Sequence, residues 1–401
     1  MSEPSCVYVI GTFDTKASEL LYAAERIAAC GAALRTVDIS TGANTGKADV
    51  SNETVARCHP QGSGAVLAQK DRGVAVKAMT EALIIFLGQQ KDIGAVLGLG
   101  GSGNTSMVAS AMQQLRFGIP KLIVSTLASG NVGGFVGPSD IMMMHSVADI
   151  AGLNSITKTV IANAAHAMAG MALNTTSELQ HSKPAVGLTM FGVTTTAVEK
   201  IRAKLENHHE CFVFHATGMG GQCFEKLIDS HFLQSAIDIT TTEVGDYLFG
   251  GVLPCTADRF GALIRQKIPS VISVGAVDMI NFGAFETVPD KFKHRNLYRH
   301  NAAVTLMRTT PEENQAIGKW IIERVNQMQG LVQFMLPHKG VSAIDAKGQP
   351  FYDTKADAAL FDAIKQNWHP APNRQLIEVD AHINDQHFAD AVLSSYSEIM
   401  V

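Results

Sequence analysis

The stretch "GAVLGLGGSGNTSMVASAMQQL", residues 94–115, joins a short apolar run to a glycine-rich turn and then to small, helix-compatible side chains. An apolar run of about four to eight residues bounded by glycine is typical of a buried strand, and the segment after the turn is typical of a helix. The same order is found in "CVYVIGTFDTKASELLYAAERIAACG", residues 6–31. Because continuous Val, Ile and Leu runs between helices are typical of a parallel sheet covered on both faces, the sequence predicts an α/β fold.

The second half of the chain repeats this pattern. Hydrophobicity falls over "NTTSELQHSKP", residues 174–184, and strand–turn–helix units begin again with "AVGLTMFGVTTTAVEKIRAKLE", residues 185–206. A chain of 401 residues is long enough for two domains of about 150 residues or more. We therefore predict two tandem doubly wound, mainly parallel Rossmann-like domains, residues 1–178 and 179–401, with a cleft between them.

Composition argues against several classes of protein. The net charge is −5, and the 32 Lys and Arg residues are scattered, so no nucleic-acid-binding surface is indicated. The first residues, "MSEPSCVYVIGTFDTK", contain only a short apolar run, so we expect neither a signal peptide nor a membrane span, and a cytoplasmic protein. The six cysteines have no metal-ligand spacing, and the sequence identifies no metal site.

Three glycine-containing loops follow predicted strands of the first half, at residues 11–16, 98–105 and 129–137. Open parallel sheets bind ligands at the carboxyl ends of their strands, and a helix N-terminus with accessible N–H groups attracts anions. We therefore predict a phosphate-bearing ligand there, although a tight turn with an ordinary helix cap is the alternative at each loop. The loop at 98–105 is not a Walker A motif, because no lysine follows its last glycine. The candidate nucleotide-binding residues are Gly11, Thr12, Asp14, Thr15, Lys16, Gly100, Gly101, Ser102, Gly103, Asn104, Thr105, Ser129 and Gly130.

Five segments together resemble the Tm-1-like ATP-binding domain family over nearly the whole chain: "GTFDTKASEL", "GLGGSGNTS", "GLTMFGVTTTAVEKI", "FHATGMGGQ" and "HNAAVTLMRTTPEE". The resemblance implies two Rossmann-like subdomains, ATP binding and a homodimer, but no settled reaction. With ATP as the ligand, Mg²⁺ is the expected counter-ion.

The second half carries polar residues close to predicted strand ends, where a small anionic substrate could bind. Alternatives for these residues are helix caps, a structural histidine and solvated surface charge. The candidate catalytic residues are His215, Glu243, Asp258 and Arg308, the last from a basic stretch at residues 294–308. The candidate substrate-binding residues are Thr194, Thr195, Thr217, Gly218, Gly220, Arg259 and His338.

Two function classes stay open. The first is an enzyme that uses ATP on a small anionic metabolite, and the second is a nucleotide-dependent binding or regulatory protein without turnover. A dehydrogenase is less favoured: Asp38 ends the second predicted strand, but the first turn is "GTFDTK" and not G-x-G-x-x-G. The long apolar segment at residues 141–173 also predicts a subunit interface.

Overall fold

A computed structural model describes residues 5–43, 45–174 and 183–400, which form two compact units, Met1–Leu179 and Gln180–Val401. The domain boundary that the sequence predicts, between residues 178 and 179, lies outside the described residues. Among the described residues, no helix has the length and apolar character needed to cross a membrane.

The first unit is a five-stranded parallel sheet in the order β2-β1-β3-β4-β5. Its strands are β1 Cys6–Gly11, β2 Leu34–Asp38, β3 Ile93–Gly100, β4 Lys121–Ser125 and β5 Ile141–His145. Its helices are α1 Phe13–Ala29, α2 Asn52–Ala56, α3 Gly64–Leu67, α4 Arg72–Gln89, α5 Ser102–Met112, α6 Gly133–Val136 and α7 Ser155–Leu173.

Side chains of β1 alternate between two apolar layers, as the period of a strand requires. Val7 and Val9 pack with α1 and α7, whereas Tyr8 and Ile10 pack with α4 and α5. The sheet is therefore covered on both faces, and polar loops are confined to its ends.

The second unit contains a six-stranded parallel sheet in the order β14-β13-β9-β8-β6-β7 and a three-stranded antiparallel sheet in the order β10-β12-β11. The strands are β6 Ala185–Met190, β7 Glu210–His215, β8 Ser235–Thr240, β9 Ser270–Gly275, β10 Met279–Phe282, β11 Leu297–Arg299, β12 Thr305–Arg308, β13 Val332–Pro337 and β14 Arg374–Val379. The helices are α8 Thr195–Leu205, α9 Met219–Asp229, α10 Glu243–Phe249, α11 Gly261–Gln266, α12 Pro311–Val325, α13 Thr354–Asn367 and α14 Gln386–Ile399.

Both parallel sheets are doubly wound, which confirms the predicted fold class. In each, the second strand along the chain lies on one side of the first, and the third lies on its other side. The strand order therefore reverses between β1 and β3 in the first unit and between β6 and β8 in the second. Such a switch point opens a crevice at the carboxyl ends of the two strands, where ligands of this fold class bind.

Candidate functional site

The switch point of the first unit brings together the first two of the three loops that the sequence singles out, whereas the third reaches the C-terminal end of α5, where Gln113 Nε2 donates to the carbonyls of Gly134 and Phe135. Strands β1 and β3 are neighbours with Ile10 opposite Gly98, so the loops that follow them start side by side. The third loop follows β4, where Gly100 pairs with Ser125. The hydroxyls of Thr105 and Ser125 are 2.7 Å apart and tie the start of α5 to the end of β4.

The N-terminus of α5 offers unsatisfied hydrogen-bond donors. Within the described residues, no acceptor is bonded to the backbone N–H groups of Ser102, Gly103 and Asn104. The Asn104 side chain is 5% exposed, and neither its amide nitrogen nor its amide oxygen has a partner there. Buried polar groups are normally hydrogen-bonded, so an unpaired amide beside unpaired N–H groups indicates room for a ligand.

Two glycines of this loop are explained neither by packing nor by backbone strain. A Cβ added to Gly101 would meet no atom within 4 Å, and one added to Gly103 would come no closer than 4.0 Å to Arg72 Nη2. Neither residue has a positive φ. The absence of side chains therefore leaves the backbone open from outside, as contact with a phosphate requires.

Arg72 is a functional candidate that sequence reasoning missed. It is exposed, it begins α4, and its guanidinium lies beside Gly103 at the start of α5. A guanidinium can bind phosphate oxygens through two parallel N–H groups. No motif in the sequence connects Arg72 with the glycine loop, because the pair depends on how α4 packs against α5.

The loop after β1 differs from the loop before α5, because the first backbone N–H groups of α1 are bonded within the protein. The N–H of Phe13 donates to Asp38 Oδ1 at 3.1 Å, and that of Asp14 donates to Ser40 Oγ at 3.1 Å. The carbonyl of Thr12 accepts the next two N–H groups of α1. The N-terminus of α1 is thus satisfied within the protein: Asp38 Oδ1 acts as a remote cap, and the buried Asp38 Oδ2 has no partner among the described residues.

The side chains of this loop are only partly free. Lys16 Nζ donates to the carbonyl of Ile150, and the hydroxyls of Thr12 and Thr15 are 3.0 Å apart. Asp14 and Thr15 are exposed. What this loop can offer a ligand is therefore a carboxylate and hydroxyls, not backbone donors; Ser129 and Gly130, after β4, are exposed as well.

The corresponding switch point of the second unit is covered by the chain itself. The segment after β13 crosses it: Ala276 N–H donates to Val341 O, and Ala343 N–H donates to Val193 O, both at 2.9 Å. An apolar cluster that includes Val193 and Phe351 fills the space beneath. The hydroxyls of Thr194 and Thr195 donate to the carbonyl of Phe191 at 3.1 and 3.2 Å.

The glycines of "HATGMGG" are required by internal packing. A Cβ on Gly220 would lie 1.8 Å from the carbonyl oxygen of His215, and one on Gly221 would lie 2.1 Å from Glu243 Oε1. Gly218 has φ 75° and its N–H donates to Glu243 Oε2 at 2.8 Å. This loop therefore accommodates a carboxylate of the protein, in contrast to the open loop before α5.

The predicted catalytic residues lie in different surroundings. Glu243 belongs to a buried cluster around Arg259, whose guanidinium also bonds to Asp238 at 2.7 Å and to Glu225 at 3.2 Å. Burial raises the pKa of Glu243, and it raises the pKa of Glu225 to about 7. Asp258 is outside this cluster, on the surface, where it pairs with Arg265 at 2.8 Å.

Arg308 is the centre of a second buried cluster. Its guanidinium bonds to Asp357 at 2.7 Å and to Asp345 at 3.2 Å, and its Nε donates to the carbonyl of Phe351 at 2.7 Å. Burial and the neighbouring carboxylates raise the pKa of Asp345 to about 9. The donors of Arg308 are thus bonded to the protein.

His215 and the neighbouring Thr217 are closer to the surface. The His215 ring is exposed and stacks on Phe191 with centroids 5.2 Å apart, and partial burial lowers its pKa. Thr217 donates to the carbonyl of His215 at 3.3 Å.

His338 lies after β13 beside a cavity of about 460 Å³, and its Nε2 is 2.7 Å from Glu378. Among the described residues, no group of three or more His, Cys, Asp and Glu could hold a metal ion.

Sequence comparison identifies relatives over the whole described chain. Residues 5–177 match the N-terminal domain, and residues 183–400 the C-terminal domain, of the uncharacterised protein family UPF0261. A UPF0261 protein of Rhizobium meliloti (strain 1021) is 51% identical over 98% of each chain, and one of Clostridium tetani is 41% identical over 98% of each. The ToMV resistance protein Tm-1(GCR237) of Solanum lycopersicum is 41% identical over 98% of this chain and 55% of its own length. This protein therefore belongs to the UPF0261 family.

Proposed function

We propose that the first unit binds the phosphates of ATP at the N-terminus of α5. One observation carries the proposal: Gly101 and Gly103 face open space beside the buried, unpaired amide of Asn104. Orphan N–H groups and the helix dipole favour an anion at this place, and the switch point beside it is where nucleotides bind in this fold class. Because ATP is a cytoplasmic metabolite, the proposal places the protein there.

Each residue of the proposed site has a role that follows from its chemistry. The N–H groups of Ser102, Gly103 and Asn104 bind phosphate oxygens, and Arg72 adds a cation beside them. Asp14 is the exposed carboxylate of the neighbouring loop. We assign it to Mg²⁺, which usually takes only one or two protein carboxylates in addition to phosphate and water.

We further propose that the protein is an enzyme that uses this nucleotide on a small anionic metabolite. Nucleotide binding alone would not require the basic side chains of the second unit, among them His338 and Lys339 beside its cavity. Magnesium-bound ATP supplies an electrophilic phosphorus, and the chain's own residues would bind and orient the acceptor.

A specific observation favours the second candidate, a nucleotide-dependent regulatory protein. Glu243 and Arg308 are bonded within buried ion clusters, so neither is free to contact a substrate in this conformation. Consumption of ATP, followed as ADP or as AMP and pyrophosphate with and without added metabolites, separates the two: an enzyme consumes ATP with its substrate, whereas a regulatory protein without turnover does not.

Calorimetric titration with ATP and Mg²⁺ tests the phosphate site. Gly101→Val places a branched side chain where the phosphate approaches and is expected to weaken binding at least about thirty-fold, or about 2 kcal/mol. Gly88→Val is the matched control, because Gly88 in α4 also has nothing within 4 Å of an added Cβ. Thr12→Ala and Lys16→Ala should weaken binding less. If the Gly101→Val protein is folded, as judged by thermal melting, and binds ATP with wild-type affinity, the N-terminus of α5 is not the phosphate site.

A further inference from the structure

A cavity of about 460 Å³ lies in the second unit between the segment after β13 and one face of α13. His338 and Lys339 line it from the end of β13, and α13 contributes Asp357, Phe361 and Lys365. The four-residue spacing of these three side chains puts them on one face of the helix. A volume of this size is in the range of small-molecule sites, about 300–1,000 Å³.

Two of the three lysines that line the cavity are paired with carboxylates. Lys339 pairs with Asp380 at 2.9 Å, and Lys365 lies 3.5 Å from both Glu378 and Asp362. Lys347 is exposed and has no hydrogen-bond or ion-pair partner among the described residues. Its ammonium is therefore available for a ligand, on a flexible stem that can follow an anionic group.

The rest of the lining suits a ligand with hydroxyl groups. Asp362 is an exposed carboxylate and Thr354 an exposed hydroxyl, and both can accept hydrogen bonds from ligand O–H groups. Tyr352, which is 44% exposed, adds aromatic surface against which the C–H face of a sugar could pack.

We propose that this cavity binds a small polyhydroxylated organic anion, a sugar acid or a sugar phosphate. The Lys347 ammonium binds its charged group. The carboxylate of Asp362 and the hydroxyl of Thr354 accept hydrogen bonds from its O–H groups, and Tyr352 packs against its apolar face. The identification of this anion as the substrate rests on the proposed function. The binding of this anion does not rest on it, because every lining residue belongs to the second unit and the α5 loop belongs to the first.

Calorimetric titration of the full chain without nucleotide tests the inference, with D-gluconate, D-glucose 6-phosphate and D-glucose as probes. At least one of the two anions is expected to bind, and glucose at least about tenfold more weakly than that anion, since it lacks the charged group. Preference for gluconate or for the phosphate ester distinguishes a carboxylate site from a phosphate site.

Variants locate the binding. Lys347→Gln is expected to lower the affinity for the anion at least about fivefold. Ala358→Trp, which fills the cavity from an exposed position, should abolish binding. Lys355→Gln is the matched control, an exposed lysine of α13 that does not line the cavity. Failure of both anions to bind at 10 mM (about 3 kcal/mol), or equal affinities in all three variants and the wild type, would overturn the inference. Loss of ATP binding with intact anion binding would instead contradict only the proposed function.

Discussion

Arg259 illustrates how a buried charge is held in this protein. Its guanidinium is 3% exposed and faces three carboxylates, those of Asp238, Glu243 and Glu225. The carboxylates would be buried without a counter-charge if the arginine were removed, and that costs far more than losing a surface ion pair. The cluster is therefore expected to support the fold of the second unit.

Replacement of Arg259 tests this role. Arg259→Met is expected to lower the free energy of unfolding by about 3–5 kcal/mol, as measured by urea denaturation. Arg265→Met is the matched control: Arg265 also faces two carboxylates, Asp229 and Asp258, but on the surface, so the loss should stay below about 1 kcal/mol. Similar losses of unfolding free energy in the two variants would mean that the buried Arg259 cluster stabilises the fold no more than a surface ion pair does.

Carboxyl groups with raised pKa values make stability depend on pH. Burial, with the carboxylates of Asp278 and Asp357, raises the pKa of Asp345 to about 9, and burial raises that of Glu225 to about 7. These groups keep their protons in the folded state and lose them in the unfolded state at much lower pH. Their stabilising effect is complete below their unfolded pKa values, about 4, and is lost as the pH rises through the folded values.

The free energy of unfolding is therefore expected to fall between pH 5 and pH 8, by up to about 1.4 kcal/mol per pH unit for each retained proton. Asp345→Asn removes one such proton and should reduce the slope, even if it lowers stability at pH 5. Urea denaturation at several pH values gives both slopes. A wild-type stability that rises across this range, or an unchanged slope in the variant, would contradict the raised pKa of Asp345.

At the scale of secondary-structure elements, two glycine-rich helix starts serve opposite purposes. The start of α5 is open on the outside at Gly101 and Gly103, whereas the start of α9 is closed by Glu243, which lies against Gly221. The first can admit a ligand, and the second is filled by the protein. Their sequences, "GLGGSGNTS" and "HATGMGG", do not reveal this difference, because it depends on a residue more than twenty positions away.

Alanine substitution separates these roles. Gly221→Ala would place Cβ 2.1 Å from Glu243 Oε1, so it is expected to lower the free energy of unfolding by about 1–3 kcal/mol. Gly170→Ala in α7 is the control, because Gly170 has nothing within 4 Å of an added Cβ. This variant is expected to have a free energy of unfolding about 0.5–1 kcal/mol higher than that of the wild type. If Gly221→Ala and Gly170→Ala changed the stability in the same direction in thermal and urea denaturation, the packing role of Gly221 would be contradicted.

Elements with strong periodicity are predictable from the sequence, and contacts between distant elements are not. The apolar run at residues 6–10 predicts β1, observed as Cys6–Gly11, and the segment at 154–173 predicts α7, observed as Ser155–Leu173. The satisfied N-terminus of α1 could not be foreseen, because Asp38 reaches it only through the pairing of β1 with β2. The antiparallel sheet β10-β12-β11 was also missed, since strands of three or four residues give little periodicity.

The basic stretch at residues 294–308 shows the same limit. Its arginines are close in sequence but have separate partners: Arg295 pairs with Glu313 at 2.7 Å, Arg299 is exposed, and Arg308 is buried with Asp357. Arg295 precedes β11, Arg299 ends β11 and Arg308 ends β12, so residues that are close in sequence belong to different segments and do not form one anion site. Switch points, in contrast, follow from the strand–helix alternation, which is why the loops after β1 and β3 were correctly expected at sheet ends.

At the scale of the whole molecule, the first unit leaves apolar surface uncovered. The edge strand β5 pairs only with β4 among the described strands, and the segment from β5 to the end of α7 exposes Met142, Val147, Ile156 and Leu173. Their exposed fractions are 38%, 65%, 48% and 54%. Exposed apolar side chains in and after a free edge strand are typical of a subunit interface, and an edge strand can pair with a second copy.

We therefore propose that the protein is a homodimer whose subunits meet through β5 and the segment that follows it. Light scattering at micromolar concentration should give a mass near twice that of the 42.8 kDa chain, because closed two-fold pairing is the commonest assembly of soluble chains. Met142→Asp together with Val147→Asp would place two carboxylates in the interface, so this variant should shift the mass toward one chain. Val252→Asp, at a 56% exposed valine of the second unit, is the control and should leave the dimer intact. A wild-type mass of a single chain would refute the dimer, and dissociation by Val252→Asp alone would move the interface to the second unit.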